Sequence, residues 1–303
     1  KDNLLLKITG LGRCTTEMLE NSLGKRYELT NKNFKQFLNE PNGLGFAKNL
    51  TVLRLGNDEL ITDEQFSMPS ISGTILFYDD VEKAYQNYLE FVNFIRYTPI
   101  KLYYLPPNLL FPYYIECSIT QVDKSEYQRE GYLSCPITFY GYTLWQNSQE
   151  SSLIVNNNEN TDGKHYELIR PYHYAGNSLS SIIINNTGDV PVGFVFEVVG
   201  SVTNPRLIAT QNGMAYGQLK LNGTFDYVRV DSNDLTESIY LENNGAIITN
   251  PLSYQDLSIA DGISTLTFFK LKVGENRLSF SCDKISSFEG NVNFKWKDKK
   301  VSI

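Results

Sequence analysis

Histidine and cysteine, the residues that most often bind metals or act as nucleophiles, are scarce in this sequence, with two and four copies among 303 residues. His165 and His173 lie eight residues apart with no acidic or cysteine partner nearby, which is poor spacing for a metal site. No nucleophile motif and no pair of carboxylates suited to acid–base catalysis stands out. The sequence therefore predicts no catalytic, cofactor-binding or metal-binding residue and no enzymatic activity.

The four cysteines fit neither a disulfide framework nor the Cys-x-x-Cys spacing of redox and zinc sites. They are widely separated, at Cys14, Cys117, Cys135 and Cys282. Such a distribution is typical of free thiols, so we expect the chain to be made and assembled in a reducing cytoplasm.

Excess positive charge and long apolar runs are also missing. The formal net charge of -7 opposes the attraction on which non-specific nucleic-acid binding and binding to acidic membrane surfaces depend. The longest apolar runs, such as Ile182 to Ile184, are far shorter than the ~20 residues of a membrane-spanning helix. The sequence predicts neither nucleic-acid binding nor a membrane span.

Aromatic residues, by contrast, are abundant. The 20 tyrosines and 17 phenylalanines favour a mainly β protein, because aromatic side chains suit a pleated, half-buried surface. The length is typical of two domains. A polar, asparagine-rich segment at 146–164 is interpreted as the connection between them, which places the domains at 1–150 and 151–303.

The first half predicts a β-rich domain with one α-helix at 81–97. Asp79 with Glu82 resembles a capping box at the start of this helix. The apolar stripe of the helix predicts packing against a sheet, with a subunit interface as the alternative. The stripe consists of Val81, Ala84, Tyr85, Tyr88, Val92 and Ile95, widened by Leu89 and Phe91.

Strands of different lengths surround the predicted helix. Short strands are predicted at 26–29 and 51–55, and a longer one at 70–78. Two long strands are predicted at 113–128 and 132–145, and their length favours a hairpin that projects beyond a small sheet or belongs to a barrel. Projecting arms of this kind could pair with neighbouring subunits.

The second half predicts an antiparallel β-sandwich, because short strands alternate with frequent turn signals. A strand at 192–199 is apolar on both faces and ends at the turn residues Gly200 and Asn204-Pro205. This pattern predicts a central strand that is covered on both sides.

Two asparagine–glycine pairs predict tight hairpins in the same half. Asn222-Gly223 would join 215–221 to 224–230, and Asn244-Gly245 would join the next two strands. The register of the first hairpin would place Tyr216, Phe225 and Tyr227 on one face.

The motifs of the second half follow an order that resembles the phage tail family and, more narrowly, the distal tail (Dit) proteins of long-tailed siphophages. The turn Gly274-Glu275-Asn276 is the most specific motif, and the family usually has proline where this chain has Val273. The layout of the first half is similar to the belt domain of the same family. The motifs in order are Gly188-Asp189, Pro191, the segment 194–200, Asn204-Pro205, and the segments 228–231, 242–245 and 268–276.

The resemblance implies a mainly β chain with a belt-like domain carrying one helix at 1–150 and an antiparallel, galectin-like β-sandwich at 151–303. It implies a structural component of the phage tail tip or baseplate, in which the first half forms a hexameric ring and the second half projects outward. Such a ring is a hub that links the tail tube to tail-tip proteins and to a receptor-binding protein. The expected location is the virion, after assembly in the cytoplasm of the bacterial host.

Two other functions stay open at this point. A carbohydrate- or receptor-binding tail protein acting in host adsorption would use exposed aromatics, and Tyr216, Phe225 and Tyr227 could form such a platform. We favour the interpretation that these rings cover a neighbouring sheet or subunit. A cell-wall-degrading enzyme would need a nucleophile, a metal or a carboxylate pair, and none is visible in the sequence.

Overall fold

A computed structural model describes residues 16–29, 36–106, 109–129, 131–156, 179–256, 265–266, 268–283, 288 and 290–303. The chain divides into two compact units, Lys1–Ser148 with Lys300–Ile303, and Gln149–Lys299, which we call unit 1 and unit 2. Cys14, His165 and His173 lie outside the described residues.

Unit 1 consists of strands and, within the described residues, one α-helix. The elements are β1 (Thr16–Glu20), β2 (Arg26–Glu28), β3 (Gln36–Asn42), β4 (Lys48–Leu55), β5 (Asp58–Phe66), β6 (Ser70–Tyr78), α1 (Val81–Ile95), β7 (Ile100–Leu105), β8 (Tyr113–Val122), β9 (Tyr132–Gly141) and β10 (Trp145–Asn147). The main sheet is antiparallel, with the strand order β2-β1-β7-β8-β9-β6-β3. β10 and the C-terminal β21 (Lys299–Lys300) complete it.

Helix α1 packs against this sheet, as its apolar stripe predicts, but the buried stripe is rotated from the predicted one. Ala84 and Phe91 are fully buried, and the Phe91 ring lies 6.0 Å from that of Phe77 on β6. Val81 and Leu89 were expected in the core, yet 51% and 58% of their surfaces are exposed. The helix also ends at Ile95, two residues earlier than predicted.

The N-cap of the helix lies one residue later than the capping-box pattern indicates. The side chain of Asp80 accepts a hydrogen bond from the backbone N–H of Lys83 at 3.0 Å, so Asp80 is the N-cap. The carboxylate of Asp79 instead accepts the N–H of Asp80 at 2.8 Å. The predicted start of the helix at Val81 is confirmed, but the pairing of Asp79 with Glu82 as a capping box is wrong, because Asp80 is the N-cap.

The two long strands predicted in unit 1 are shorter than expected and lie in the middle of the sheet. β8 ends at Val122 and β9 ends at Gly141, and each pairs with a neighbour on both sides. The backbone of Asp123 and Ser125 still bonds to β9, but irregularly, after a register shift between Ile119 and Gln121. They are therefore central strands, and the prediction of projecting arms at 113–145 is wrong.

Unit 2 is a two-layered β structure. Its elements are β11 (Ser151–Asn156), β12 (Leu179–Asn186), β13 (Phe194–Gln211), β14 (Met214–Lys220), β15 (Thr224–Asp231), β16 (Ser238–Asn243), β17 (Ala246–Ile247), a 3-10 turn (Pro251–Tyr254), β18 (Thr265–Leu266), β19 (Gly274–Asp283) and β20 (Asn291–Trp296). One layer has the order β11-β20-β13-β15-β16-β17, and the other has the order β12-β19-β13-β14-β18. All pairs are antiparallel except β14–β18.

Strand β13 belongs to both layers. Its first part, up to Val199, pairs with β15 and β20, and its last part, from Arg206, pairs with β14 and β19. The predicted strand end at Gly200 and Asn204-Pro205 is wrong, because these residues form bulges at which the strand bends from one layer into the other. Gly200 has a φ of 118° and Asn204 a φ of 50°.

The two asparagine–glycine signals have different outcomes. Asn244-Gly245 forms the predicted hairpin between β16 and β17, with φ values of 52° and 71°. Asn222-Gly223 forms no hairpin, since β14 pairs with β13 and β18 whereas β15 pairs with β13 and β16. The chain crosses there between the layers, and the N–H of Asn222 donates to the carbonyl of Tyr254 at 2.7 Å.

The core of unit 2 lies between its two layers. Phe194, Phe196 and Val198 face this core, as the alternation on β13 predicts. The opposite face of the strand is lined by neighbouring side chains of the same layer, and Val199 is exposed there. Val195 and Glu197 on this face are nevertheless buried, so the expectation of a strand covered on both sides is confirmed except at Val199.

The segment 146–164 contains more structure than a polar connection. β10 at its start belongs to unit 1, and Ser151–Asn156 forms β11, which pairs with β20 along its whole length. The remainder, 157–164, lies outside the described residues.

The turn Gly274-Glu275-Asn276 is held by a buried amide. The side-chain oxygen of Asn276 accepts the backbone N–H of Lys272 at 3.0 Å and the hydroxyl of Tyr216 at 2.6 Å. Its nitrogen donates to the carbonyls of Lys272 and Gly274 at 2.7 and 2.8 Å. Asn276 therefore satisfies the backbone of the turn and ties it to β14.

Candidate assembly surface

Strands β4 and β5 form a hairpin that is separate from the main sheet of unit 1. Within the described residues it is a sheet of two strands only. Gly56, with a φ of 68°, and Asn57 form its two-residue turn. An isolated two-stranded hairpin is at best marginally stable in water, so this one needs a further stabilising contact.

Both faces of the hairpin carry aliphatic side chains. Val52 lies opposite Ile61 on one face, and Leu53 lies opposite Leu60 on the other. Each keeps 44–55% of its surface exposed, which is far more than a core residue would. Exposed aliphatic side chains grouped on one small element are typical of a protein interaction site. The exposed aliphatic residues of the hairpin are Leu50, Val52, Leu53, Leu55, Leu60 and Ile61.

Side-chain contacts join the two strands at the base of the hairpin, while its tip is exposed. The rings of Phe46 and Phe66 meet edge to face at 5.9 Å, and the ammonium of Lys48 lies 5.0 Å from the Phe66 ring. Lys48 also forms an ion pair with Glu64. These contacts join the two strands of the hairpin to each other at its base.

A second apolar patch lies on the outer surface of α1, where Val81 and Leu89 are exposed. Tyr97 and Leu23 extend it, with 48% and 57% of their surfaces exposed. The backbone N–H of Ser22 donates to the carbonyl of Tyr97 at 3.2 Å, which places the β1–β2 turn beside the end of the helix. We call Leu23, Val81, Leu89 and Tyr97 the helix patch.

The aromatic platform considered as an alternative in the second half does not form, and the favoured interpretation that the rings cover a neighbouring sheet is confirmed for Tyr216 and Phe225. Tyr216 and Phe225 are buried in the core of unit 2, and only Tyr227 lies on an outward face. The prediction relied on the hairpin at Asn222-Gly223, which does not exist.

The described thiols are unsuited to nucleophilic chemistry at neutral pH. Burial raises the pKa of Cys117 and of Cys135 to about 12, so both stay protonated. No cluster of three or more histidine, cysteine or acidic residues that could hold a metal occurs in the described part of the chain. No helix in that part is long and apolar enough to span a membrane.

Unit 1 has a buried carboxyl group at Glu17 on β1. Only 2% of this residue is exposed, and it lies among Leu38, Ile71, Leu102 and Trp145. Loss of hydration on burial disfavours the charged form and raises the pKa of Glu17 from the usual 4.5 to about 7.

This pKa predicts a pH-dependent stability of unit 1. The folded protein holds the Glu17 proton more tightly than the unfolded chain does, so protonation of Glu17 contributes to the free energy of unfolding. This contribution is complete below pH 4.5 and is lost as the pH rises to about 7. The loss amounts to roughly 3 kcal/mol. Glu17→Gln should make unit 1 more stable than the wild type at pH 8, with little difference at pH 4.5. Denaturant unfolding followed by Trp145 fluorescence measures this, and an equal pH dependence of both proteins would contradict it.

Comparison with known proteins gives matches over most of the chain. Residues 17–142 match the family model described as distal tail protein, N-terminal domain. A chain of the phage P2 baseplate, in its activated conformation with calcium, is 17% identical with a TM-score of 0.56, and the match covers 96% of this chain and 100% of that one. SPP1 Dit, described as a paradigm of the hub adsorption apparatus in phages that infect Gram-positive bacteria, is 14% identical with a TM-score of 0.62, covering 95% and 99%. No curated protein matches the chain.

These matches identify the class of protein. Over nearly its whole length the chain shares the mainly β, antiparallel fold of two phage tail proteins. Residues 17–142 carry the N-terminal domain of the distal tail protein family. The family predicted from the sequence motifs is confirmed. The motifs lie in the second half, whereas the family model matches the first half, where only the layout of strands and helix resembled the family.

Proposed function

We propose that the chain forms a ring of identical subunits, six in number, that serves as the hub of a phage tail tip or baseplate. The ring joins the tail tube to tail-tip proteins and to a receptor-binding protein within the virion, after assembly in the host cytoplasm. Residues 1–150 form the ring, and residues 151–303, a galectin-like sandwich, carry the attachment sites for further components. No catalytic step belongs to this role.

The hairpin β4–β5 is the observation that carries the proposal. It exposes aliphatic side chains on both faces, and in water it lacks the contacts that would stabilise it. The helix patch is a second and different apolar surface on the same unit. Two different patches favour head-to-tail contacts, and such contacts close into rings when the rotation between subunits permits.

The mass of the full chain in solution tests this proposal. Size-exclusion chromatography with light scattering should show a complex six times the mass of one chain at micromolar concentration. A protein that stays a single chain at high concentration would contradict a ring formed without other tail components.

A second candidate function is carbohydrate or receptor binding during adsorption to the host. The platform first considered for it does not form, but another surface of unit 2 favours it. That surface is the outward face of the layer that contains β13, on which charged and aromatic side chains meet.

A further inference from the structure

The outward face of the β11-β20-β13-β15-β16 layer brings side chains of five strands into register. One row across the layer consists of Ile154, Asn293, Glu197, Arg229 and Tyr240, each directly opposite the next. With strands ~4.8 Å apart, this row extends over about 19 Å. We call it, together with the adjoining Lys295 and Tyr227, the polar row.

Glu197 is the centre of the polar row. It lies on the outward face of its strand, yet only 8% of the residue is exposed, because charged and aromatic neighbours surround it. Its carboxylate lies 3.3 Å from the ammonium of Lys295 and 3.9 Å from the guanidinium of Arg229. The hydroxyl of Tyr227 donates to it at 3.3 Å. The carboxylate is thereby held in one place with two cationic donors beside it.

The side-chain oxygen of Asn293 is a hydrogen-bond acceptor that receives no donor from the protein. Its side-chain oxygen is buried and has no hydrogen-bond partner in the protein, although Asn293 lies opposite Glu197 on the neighbouring strand. Leaving a buried acceptor unpaired is unfavourable, so a hydroxyl donor from outside the chain would find a site there. The residue as a whole is half-buried, so part of it is in contact with solvent.

Two tyrosines complete the surface. The rings of Tyr227 and Tyr240 meet edge to face at 5.8 Å, beside Arg229. Tyrosine combines an apolar ring with a polar end, which suits a ligand with both C–H and O–H groups. Protein interfaces, in contrast, are depleted in lysine and glutamate at their centres. Lys295 and Glu197 at the centre of the polar row therefore favour a small polyhydroxylated ligand over a protein.

We propose that the polar row binds a saccharide. Glu197 and Asn293 accept hydrogen bonds from sugar hydroxyls, Arg229 and Lys295 donate to sugar oxygens, and the rings of Tyr227 and Tyr240 contact the C–H face of the pyranose. This site gives a location to the second candidate function, and it does not depend on ring assembly.

Saturation-transfer NMR on the full-length protein tests the site. The probes are glucose, galactose, N-acetylglucosamine and the disaccharides lactose, cellobiose and N,N′-diacetylchitobiose. At least one should bind with a Kd below about 10 mM. Arg229→Ala and Tyr240→Ala should each weaken that binding by about ten-fold or more. Arg277→Ala and Tyr140→Ala, which remove an exposed arginine of the other layer and an exposed tyrosine of unit 1, should leave it unchanged.

Absence of transfer to all six probes would overturn the proposal, and so would equal binding by the wild type and the two polar-row variants. Light scattering on the same samples separates this outcome from a failure of the hub function. If the protein forms a ring but binds none of the sugars, the proposed hub function stands and the proposed saccharide site is wrong.

Discussion

Replacing Leu53 and Leu60 by serine is expected to turn the assembled protein into single chains. Both side chains are about half exposed in the single chain, and they lie opposite each other on one face of the hairpin. Burying the exposed halves in a contact would stabilise it by about 2–4 kcal/mol in total. Losing this energy weakens each subunit contact by roughly 30- to 1,000-fold. Light scattering at micromolar concentration measures the change in mass.

The control removes equally exposed aliphatic side chains from unit 2. In Ile183→Ser with Leu252→Ser, residues with 53% and 58% exposure are replaced, and assembly should be unchanged. The hairpin variant should also keep the circular dichroism spectrum of the wild type, because its altered residues lie outside the core. A hairpin variant that assembles as fully as the control would contradict the role of the hairpin.

Phe196→Ala is expected to cost unit 2 about 3–5 kcal/mol of unfolding free energy. Phe196 on β13 is fully buried, and its ring lies 5.9 Å from that of Phe280 and 5.4 Å from that of Phe294. These rings come from strands of both layers, so the alanine leaves a cavity between them. Denaturant unfolding of the variant should show a much earlier transition for unit 2.

The two tryptophans allow each unit to be followed separately, because Trp145 lies in unit 1 and Trp296 in unit 2. In single-tryptophan proteins, Phe196→Ala should shift the Trp296 transition and leave the Trp145 transition in place. Val199→Ala, an exposed position on the same strand, should change neither by more than about 0.5 kcal/mol. Equal shifts of both transitions would contradict the proposal that units 1 and 2 are separate domains.

Sequence patterns that act over a few neighbouring residues predicted the local secondary structure correctly. The strand at Ser70–Tyr78, the position of α1 and the hairpin at Asn244-Gly245 follow from alternation, helical period and turn chemistry, all of which act over a few residues. Asn222-Gly223 shows the limit of such signals. Turn chemistry sets the backbone angles, but it does not decide whether the flanking strands pair with each other or lie in different layers.

The same limit applies to β13. Glycine, asparagine and proline mark a break in regular backbone, and a bulge within a long strand uses the same residues as a turn at its end. Only the pairing with β14, which follows directly, and with β19, which comes much later in the chain, shows that the strand continues.

The assembly surface could not be recognised from the sequence, because exposure is a property of the folded chain. Leucine and isoleucine at 50–61 suggest a core strand, and only the isolation of the hairpin shows that they face solvent. A usable signal existed in Gly56-Asn57, a two-residue loop between strands that are each interrupted by charges. The polar row was missed because it combines residues from five strands.

Negative-stain electron microscopy of the purified protein shows directly whether rings form. We expect closed rings of uniform diameter with six-fold symmetry in class averages of the wild type, and their loss in Leu53→Ser with Leu60→Ser. Images that contain only single chains, or open filaments of variable length, at concentrations where the protein is folded would contradict it.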